Sequence, residues 1–380
     1  MRIGIDARSV LKKRTGVGAY TFNLIQNLSR LDRENRYVLF YSHHLDVRPH
    51  IPKIENPNFE SRFFRIPNKL LNLCWGTIKL PKIDWLVGEV DLYHSPNYNL
   101  NILARGKSVM TIHDLNFLAY PRFTISSGRW HYAFKIKSYA RKVDAVIADS
   151  FSTKDEIIKY LKIPEDKIHV IHLGCSGAFQ PLPENERLGE TEEKFKIKGD
   201  YILYVGTLEP RKNLKGLIQA YAHSRAKTDF LLVLAGGKGW KYEHIFRLVD
   251  KLQLQERVIF TGYVPEADLP GLYQGASLFV YPSLYEGFGL PPLEAMACGL
   301  PVIVSHTTSL PEVVGDAGVY VDPYDIGQIA FSIDTVLSDS DLRQTLIRRG
   351  LERAKLFSWE KTAKETLKLY EQVVEGRFKV

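Results

Sequence analysis

Short runs of β-branched and aliphatic residues alternate with amphipathic helical patterns along the chain. In the first half, strand-like runs at 2–6, 109–112 and 145–148 are followed by helical patterns such as those at 19–31 and 152–161. This alternation is typical of a parallel sheet that is covered by helices on both faces. It predicts a doubly wound α/β domain.

The alternation stops where Pro, Gly and mixed charges carry no apolar periodicity, and it then resumes. Strand-like runs return at 201–205, 230–234, 258–260, 278–281, 301–304 and 319–321. The pattern predicts a Rossmann-like domain at 1–180, a linker at 181–200, a second Rossmann-like domain at 201–357 and a last helix at 358–380. Ser358 is the predicted N-cap of this helix, whose apolar stripe must pack against another element.

Length and hydropathy agree with a two-domain protein. At 380 residues the chain exceeds the roughly 250 to 300 residues at which one core stops growing. No uncharged apolar stretch approaches the roughly 18 residues of a membrane-spanning helix, and the start of the chain runs directly into a strand pattern. We therefore expect a cytoplasmic protein.

Positive charge is concentrated in the first half of the chain. Residues 1–172 contain 27 Lys and Arg against 16 Asp and Glu, a net charge of +11, whereas residues 173–380 contain 24 against 27. This asymmetry suggests an anionic partner such as a lipid headgroup surface, a phosphorylated acceptor or nucleic acid. A basic surface without a partner is the alternative.

A glycine-rich segment opens the first predicted helix. Gly16 and Gly18 lie there, and glycines at a helix N-terminus let backbone N–H groups approach a phosphate. Thr21 stands where a dinucleotide-binding fingerprint has its third glycine, and no acidic residue ends the strand at 37–42. The pattern disfavours a dehydrogenase and leaves a phosphate loop or a plain flexible loop.

Two further segments directly follow predicted strands and therefore lie at the carboxyl edges of their sheets. His113 follows the strand at 109–112, and Arg211 and Lys212 lie in the loop at 206–213. Two adjacent cations before a helix N-terminus favour an anion such as a diphosphate. A structural histidine and a solvated basic loop are the alternatives.

Two carboxylates frame a loop in the second half. Prolines and a terminal glycine predict a helix at 292–298, so Glu286 lies on the loop before it and Glu294 in its first turns. Carboxylates at such an edge accept hydrogen bonds from sugar and ribose hydroxyls. The backbone N–H groups expected to point to the same place belong to Phe288, Gly289 and Leu290.

A metal site is not predicted. Asp339 and Asp341 form a DxD pattern, but they precede the helical run at 342–351, where Asp is the expected N-cap. We expect no metal and no other cofactor.

The segments GTLEPRKN at 206–213, YEGFGLPPLE at 285–294, TGVG at 15–18 and FSWEK at 357–361 together resemble glycosyltransferase family 4. Members of this family are retaining enzymes of the GT-B fold, and the resemblance spans nearly the whole chain. It implies two Rossmann-like domains that face each other across a cleft. It also implies a C-terminal helix that packs back on the N-terminal domain.

The resemblance implies a role for each motif. Arg211 and Lys212 would hold the diphosphate of a nucleotide sugar, and Glu286 would bind the hydroxyls of the donor sugar. Glu294 would bind the ribose, and His113 would lie beside the transferring sugar. The remaining donor-site residues would be Gly16 and Gly18 at the phosphates, Val264 near the base, and Phe288, Gly289 and Leu290 at the sugar.

Within the family, the segments at 91–98, 111–115 and 234–240 are most similar to bacterial mannosyltransferases that build O-antigen or capsular polysaccharide from GDP-mannose. This similarity implies transfer of mannose to a glycan or lipid-linked glycan, with front-face attack and no metal. A UDP-sugar donor is the alternative within the family. Outside it, a nucleotide-sugar 2-epimerase and a nucleic-acid-binding protein remain, although no nucleic-acid-binding motif is present.

The segment at 62–85 mixes basic, aromatic and aliphatic residues. Such a composition suits a lipid-linked acceptor or an anionic membrane surface, and would place the protein at the inner face of the cytoplasmic membrane. The same apolar residues could equally belong to the core.

Overall fold

The computed structural model describes residues 1–11, 16–48, 51–98, 103–121, 129–182 and 189–376. Contacts divide the chain into two units. The first contains Met1–Gly174 together with Ser358–Val380, and the second contains Cys175–Phe357.

The first unit is built on a parallel seven-stranded sheet in the order β3-β2-β1-β4-β5-β6-β7. Its strands are β1 (Arg2–Asp6), β2 (Arg36–Ser42), β3 (Phe59–Phe64), β4 (Leu92–Ser95), β5 (Lys107–Ile112), β6 (Ala145–Ala148) and β7 (Ile168–Val170). Its helices before residue 174 are α1 (Val17–Leu31), α2 (Asn68–Gly76), α3 (Ile83–Val87), α4 (Asn116–Ala119), α5 (Arg129–Lys142) and α6 (Phe151–Glu156), with a π-helical turn at Ile157–Leu161 and 3-10 turns at Arg8–Leu11 and Glu165–Lys167.

The second unit has a parallel six-stranded sheet in the order β10-β9-β8-β11-β12-β13. Its strands are β8 (Tyr201–Val205), β9 (Leu231–Ala235), β10 (Val258–Gly262), β11 (Leu278–Tyr281), β12 (Val302–Ser305) and β13 (Gly318–Val321). Its helices are α7 (Gly189–Phe195), α8 (Leu214–His223), α9 (Glu243–Lys251), α10 (Leu269–Gly275), α11 (Leu290–Ala297), α12 (Leu310–Val314), α13 (Ile326–Ser338) and α14 (Ser340–Ala354), with 3-10 turns at Pro210–Lys212, Arg225–Thr228 and Glu266–Asp268.

Both sheets have the doubly wound order of a Rossmann fold, which confirms the predicted fold class. In each sheet the strand order reverses once, between β1 and β4 in the first unit and between β8 and β11 in the second. At such a reversal the loops that follow the two central strands diverge and leave a crevice at the carboxyl edge. The strands themselves are apolar and buried, as expected for parallel sheets with helices on both faces.

The last helix, α15 (Trp359–Val374), belongs to the first unit, as the sequence analysis predicts. The Ser358 hydroxyl caps it by accepting a hydrogen bond from the backbone N–H of Lys361. The helix packs against α1, and the Tyr370 hydroxyl lies 2.6 Å from Nδ1 of His94 on β4. Burial lowers the pKa of His94 to about 3, so its ring is neutral.

The segment at 181–200, predicted as a linker, lies in the second unit. It contains α7 among its described residues, and Nζ of Lys194 pairs with Asp268 at 2.7 Å. Just before it, the ring of Phe179 packs edge-on against that of Tyr273. These contacts attach the segment to the second unit.

Within the described ranges, we find no helix with the length and apolar character that crossing a bilayer would require.

We expect Tyr370→Phe to lower the free energy of unfolding by about 1 to 3 kcal/mol, because it leaves one ring nitrogen of the buried His94 without its partner. Urea denaturation measures the change. Tyr324→Phe is the control, since this tyrosine is 70% exposed and its loss should alter stability by less than about 0.5 kcal/mol. Equal stabilities of the two variants would contradict the structural role of this contact.

Candidate active site

The loop between β8 and α8 presents two cations in a fixed conformation. After a 3-10 turn at Pro210–Lys212, Asn213 adopts a left-handed conformation with φ 56°. Its side-chain amide donates to the carbonyl oxygens of Pro282 and Pro323 at 3.1 and 2.6 Å. This anchor ties the loop to the segment that follows β11.

The loop between β11 and α11 holds Glu286 by its backbone. The N–H of Glu286 donates to Oγ1 of Thr308 at 3.0 Å, and the Ser309 hydroxyl donates to the carbonyl oxygens of Glu286 and Phe288 at 3.0 and 2.6 Å. Gly289 then adopts φ 118°, which a residue with a side chain rarely accepts, and α11 begins at Leu290. The predicted start at residue 292 was two residues late.

The two loops bring Arg211, Lys212 and Glu286 into direct contact. Nζ of Lys212 donates to Oε1 of Glu286 at 2.6 Å, and Nη1 of Arg211 donates to Oε2 at 3.0 Å. Arg211 also pairs with Glu209 at 2.7 Å, and Lys212 donates to the hydroxyl of Tyr281 at 2.7 Å. The result is a buried cluster of two cations and two carboxylates.

Burial and charge act in opposite directions on this cluster. Burial raises the pKa of Glu286, but the charges of Lys212 and Arg211 outweigh it and lower the pKa to about 2. Burial, with the charge of Arg211, lowers the pKa of Lys212, and burial raises the pKa of Glu209 despite its cationic neighbours. Glu286 is therefore ionised at neutral pH and can accept hydrogen bonds from hydroxyl groups.

The cluster retains hydrogen-bonding capacity for an incoming anion. Lys212 has three N–H hydrogens, of which two are committed among the described residues to Glu286 and Tyr281. The third has no hydrogen-bond partner among the described residues. At the same strand-order reversal, the N-terminus of α11 presents the N–H groups of Gly289 and Leu290, because residues 291 and 292 are prolines without a backbone N–H.

Glu294 lies on α11, away from the hydrogen bonds of the cluster. It is half-buried, and its Oε2 accepts a hydrogen bond from the hydroxyl of Tyr273 at 2.9 Å. Burial raises its pKa to about 8, although this hydrogen bond opposes the shift. Val264, predicted near the base, is buried just after β10 on the edge that carries the two loops.

In the first unit, His113 lies directly after β5 between groups from the two neighbouring strands. Its Nδ1 is 2.6 Å from Oδ2 of Asp149, and its Nε2 is 3.0 Å from the carbonyl oxygen of Pro96. A carbonyl oxygen only accepts, so Nε2 carries a hydrogen. Burial lowers the pKa of His113, but Asp149 and the Pro96 carbonyl outweigh it and raise the pKa.

Gly16 and Gly18 fall on the two sides of a helix start. Gly16 has φ 52° and is the N-cap of α1, and the space beside its Cα is open. Gly18 is buried within the first turn of α1, which begins at Val17 rather than at the predicted residue 19. Thr15, part of the same motif, lies outside the described residues.

Sequence reasoning assigned no role to Glu209, Tyr281 or Asp149. Asp149 could have been found, because it follows β6 as His113 follows β5, and adjacent parallel strands place such residues side by side. The sequence contains no comparable pattern that would predict the ion pair between Glu209 and Arg211. Asp339 caps α14 by accepting from the N–H of Leu342 at 2.9 Å, as predicted, and the described residues contain no cluster of metal-ligating side chains.

Models of two protein families match the chain. Residues 14–176 match the model described as Glycosyltransferase Family 4, and residues 189–353 match the model described as Glycosyl transferases group 1. The first match contains the strands of the first sheet except β1, and the second match contains the whole second sheet. The second one contains every residue of the ion-pair cluster.

Curated proteins and solved structures agree with the family models. O-antigen chain mannosyltransferase B of Escherichia coli is 34% identical over 384 residues, covering 97% of this chain and 99% of that protein. Serotype-specific mannosyltransferase WbdA of Escherichia coli is 35% identical over 285 residues, 71% of this chain but only 34% of that protein. Sucrose-phosphate synthase from Thermosynechococcus elongatus superposes with a TM-score of 0.78 at 23% identity, covering 99% of both chains.

We expect Glu286→Gln to lower the free energy of unfolding by about 3 to 5 kcal/mol at neutral pH, because it leaves two buried cations without their compensating charge. Urea denaturation provides the measurement. Glu360→Gln is the matched control, since Glu360 pairs with Lys364 at an exposed site and should contribute less than about 1 kcal/mol. A loss no larger than that of the control would refute the electrostatic account of the cluster.

We expect Glu294 to make the folded protein less stable as pH rises. Its folded pKa of about 8 exceeds the ordinary value, so its contribution is complete below about pH 4.3 and is lost as pH rises through 8. Between these limits the free energy of unfolding should fall by up to about 1.4 kcal/mol per pH unit relative to Glu294→Gln. Denaturation curves of both proteins at several pH values test this, and parallel profiles would rule it out.

Proposed function

We propose a donor, an acceptor class and a mechanism for this chain, which is a glycosyltransferase of family 4 with the GT-B fold. The donor is GDP-mannose, the transferred group is mannose, and the acceptor is a glycan or a lipid-linked glycan. The observation that carries the proposal is the buried cluster of Arg211, Lys212 and Glu286 at a strand-order reversal. The names of the mannosyltransferase relatives support the choice of sugar.

In this proposal, different parts of the donor bind to different side chains at the carboxyl edge of the second sheet. Lys212 and Arg211 bind the diphosphate. Glu286 stays ionised between these two cations and accepts hydrogen bonds from the sugar hydroxyls. Each carboxylate oxygen has two acceptor sites, so a bond to a cation does not prevent a bond to a hydroxyl. Glu294 takes the ribose, and the backbone near Val264 takes the base.

The transfer proceeds with retention by front-face attack. Glu286 and Glu209 are both paired with cations, and Glu294, with a pKa of about 8, is largely protonated at neutral pH. These carboxyl groups are therefore poor nucleophiles for a covalent glycosyl intermediate. The anomeric carbon loses its bond to the phosphate oxygen and gains one to the acceptor oxygen on the same face, and the acceptor proton passes to the departing phosphate.

Positive charge for the departing phosphate comes from the protein. We propose that Arg211, Lys212 and the N-terminus of α11 stabilise the negative charge that develops on the departing phosphate. We therefore propose that the reaction needs no metal. In the first unit, Asp149 fixes the ring of His113, and we propose that His113 takes part in the transfer.

The proposed acceptor or membrane partner of the first unit is anionic. The basic balance of residues 1–172 suits a lipid-linked acceptor or an anionic membrane surface, and we propose a peripheral association at the inner face of the cytoplasmic membrane. Nucleic acid is not a partner in this proposal.

In a thermal-shift panel, we expect GDP and GDP-mannose to stabilise the protein by about 2.7 kcal/mol at 100 times their dissociation constants. UDP and UDP-glucose at the same concentrations should stabilise it less. Mannose transfer from GDP-mannose to a mannose-containing acceptor should persist in EDTA and be lost in Glu286→Gln, with Glu360→Gln as the active control. Stronger stabilisation by UDP would move the donor to a UDP-sugar. Formation of an isomeric nucleotide sugar without acceptor would replace the transferase by an epimerase.

A further inference from the structure

The first unit contains a groove that the proposed reaction does not use. It is a cavity of about 940 Å³ between α2 with the chain that follows it and α5. Its lining continues along the residues that lead into β5 and β6, including Gly106 and Asp144. Every wall comes from the first unit.

Four lysines line this groove. They are Lys79, Lys82, Lys135 and Lys142. Within the described part of the chain none of them forms an ion pair, because Asp144, the carboxylate of the lining, is bound to Lys107 at 3.0 Å and to the N–H and hydroxyl of Ser108. Among the described residues, the lining therefore contains four cations and one carboxylate, and that carboxylate is already paired with Lys107.

The same groove has an exposed apolar rim. Leu73 and Phe134, both in the lining, are 61% and 73% exposed, and Ile78, between two lining residues, is 65% exposed. By contrast, Leu71 on α2 is buried in the core, and Trp75, which also lines the groove, is only 3% exposed. The segment at 62–85 thus contains both core residues and exposed apolar residues. The core interpretation holds for the buried residues, and the membrane interpretation stays a prediction for the exposed ones.

The groove lies at the opposite edge of the sheet from His113. It reaches the start of β5 through Ser108, whereas His113 follows the last residue of the same strand. A strand of six residues spans roughly 20 Å. A ligand in the groove therefore does not occupy the place beside His113.

We propose that this groove is a binding site for anionic phospholipid at a bilayer surface. The lipid phosphate lies among the four lysines, and the exposed side chains of Leu73, Ile78 and Phe134 enter the boundary between headgroups and acyl chains. Charge complementarity selects an anionic ligand, and the apolar rim selects one that carries hydrocarbon. A soluble anion would satisfy the lysines but leave the rim in water.

This inference gives a location to the membrane association proposed above and does not depend on the transfer reaction. Its site is about one strand length from the catalytic edge, so the bilayer and the reacting hydroxyl are contacted by different parts of the first unit. Transfer to a water-soluble acceptor therefore provides an independent measure of whether the catalytic site is intact.

The test is sedimentation of the full-length protein with vesicles of phosphatidylcholine, with or without phosphatidylglycerol, at low and high salt. We expect binding only to the anionic vesicles and weaker binding at high salt, because screening acts over about 10 Å at 0.1 M. Lys79→Gln with Lys142→Gln should weaken binding roughly 30-fold, at about 1 kcal/mol per lysine. Phe134→Ser should weaken it as well.

Matched controls separate this site from general charge and hydrophobicity. Lys251→Gln with Lys368→Gln removes two exposed lysines elsewhere, and Phe331→Ser removes a side chain that is 72% exposed, against 73% for Phe134. Both control variants should bind vesicles as well as the unmodified protein does. All variants should transfer mannose to a water-soluble acceptor at the rate of the unmodified protein. The proposal would be overturned if the groove variants and the control variants bound anionic vesicles equally well. It would also be overturned if the protein bound only neutral vesicles, or if the protein formed a dimer that Phe134→Ser dissociates.

Discussion

The reversal of strand order between β8 and β11 is the constraint on which the candidate site depends. Lys212 and Glu286 are 74 positions apart in sequence, yet their side chains meet at 2.6 Å because the loops after two adjacent parallel strands start at the same edge. The loops diverge there, so the edge stays open to a ligand. The buried charges are acceptable only because each cation has a carboxylate within hydrogen-bonding distance.

Much of the architecture could be predicted from the sequence, because buried parallel strands form continuous apolar runs that are easy to recognise. The strands Arg2–Asp6, Tyr201–Val205 and Leu278–Tyr281 have the predicted bounds, since continuous apolar runs between turns have few other interpretations. The predictions missed the strand Phe59–Phe64 at the edge of the sheet, where exposed polar residues interrupt the apolar pattern. Helix α7 was not predicted either, because its charged sequence GETEEKF has no apolar stripe that would indicate an amphipathic helix.

The site was predictable as a set of loops but not as a set of contacts. Position after a strand indicated Arg211, Lys212, Glu286 and His113, because strand ends can be located from sequence. Partners across the sheet could not be assigned, since the strand order that joins them is a property of the whole fold. The pKa values of Glu286 and Glu294 could not be predicted for the same reason, because they depend on neighbours that the fold brings together. Glu286 lies between two cations, and Glu294 accepts a hydrogen bond from the Tyr273 hydroxyl.

The return of α15 to the first unit has a consequence for the order of events during synthesis. The first sheet leaves the ribosome early, but the helix that places Tyr370 against His94 emerges only after all of Cys175–Phe357 has been made. At about 5 to 20 residues per second, this delay is roughly 10 to 40 s. During that time the second unit can fold as a continuous segment, while the face of α1 that α15 will cover remains exposed to water and to chaperones.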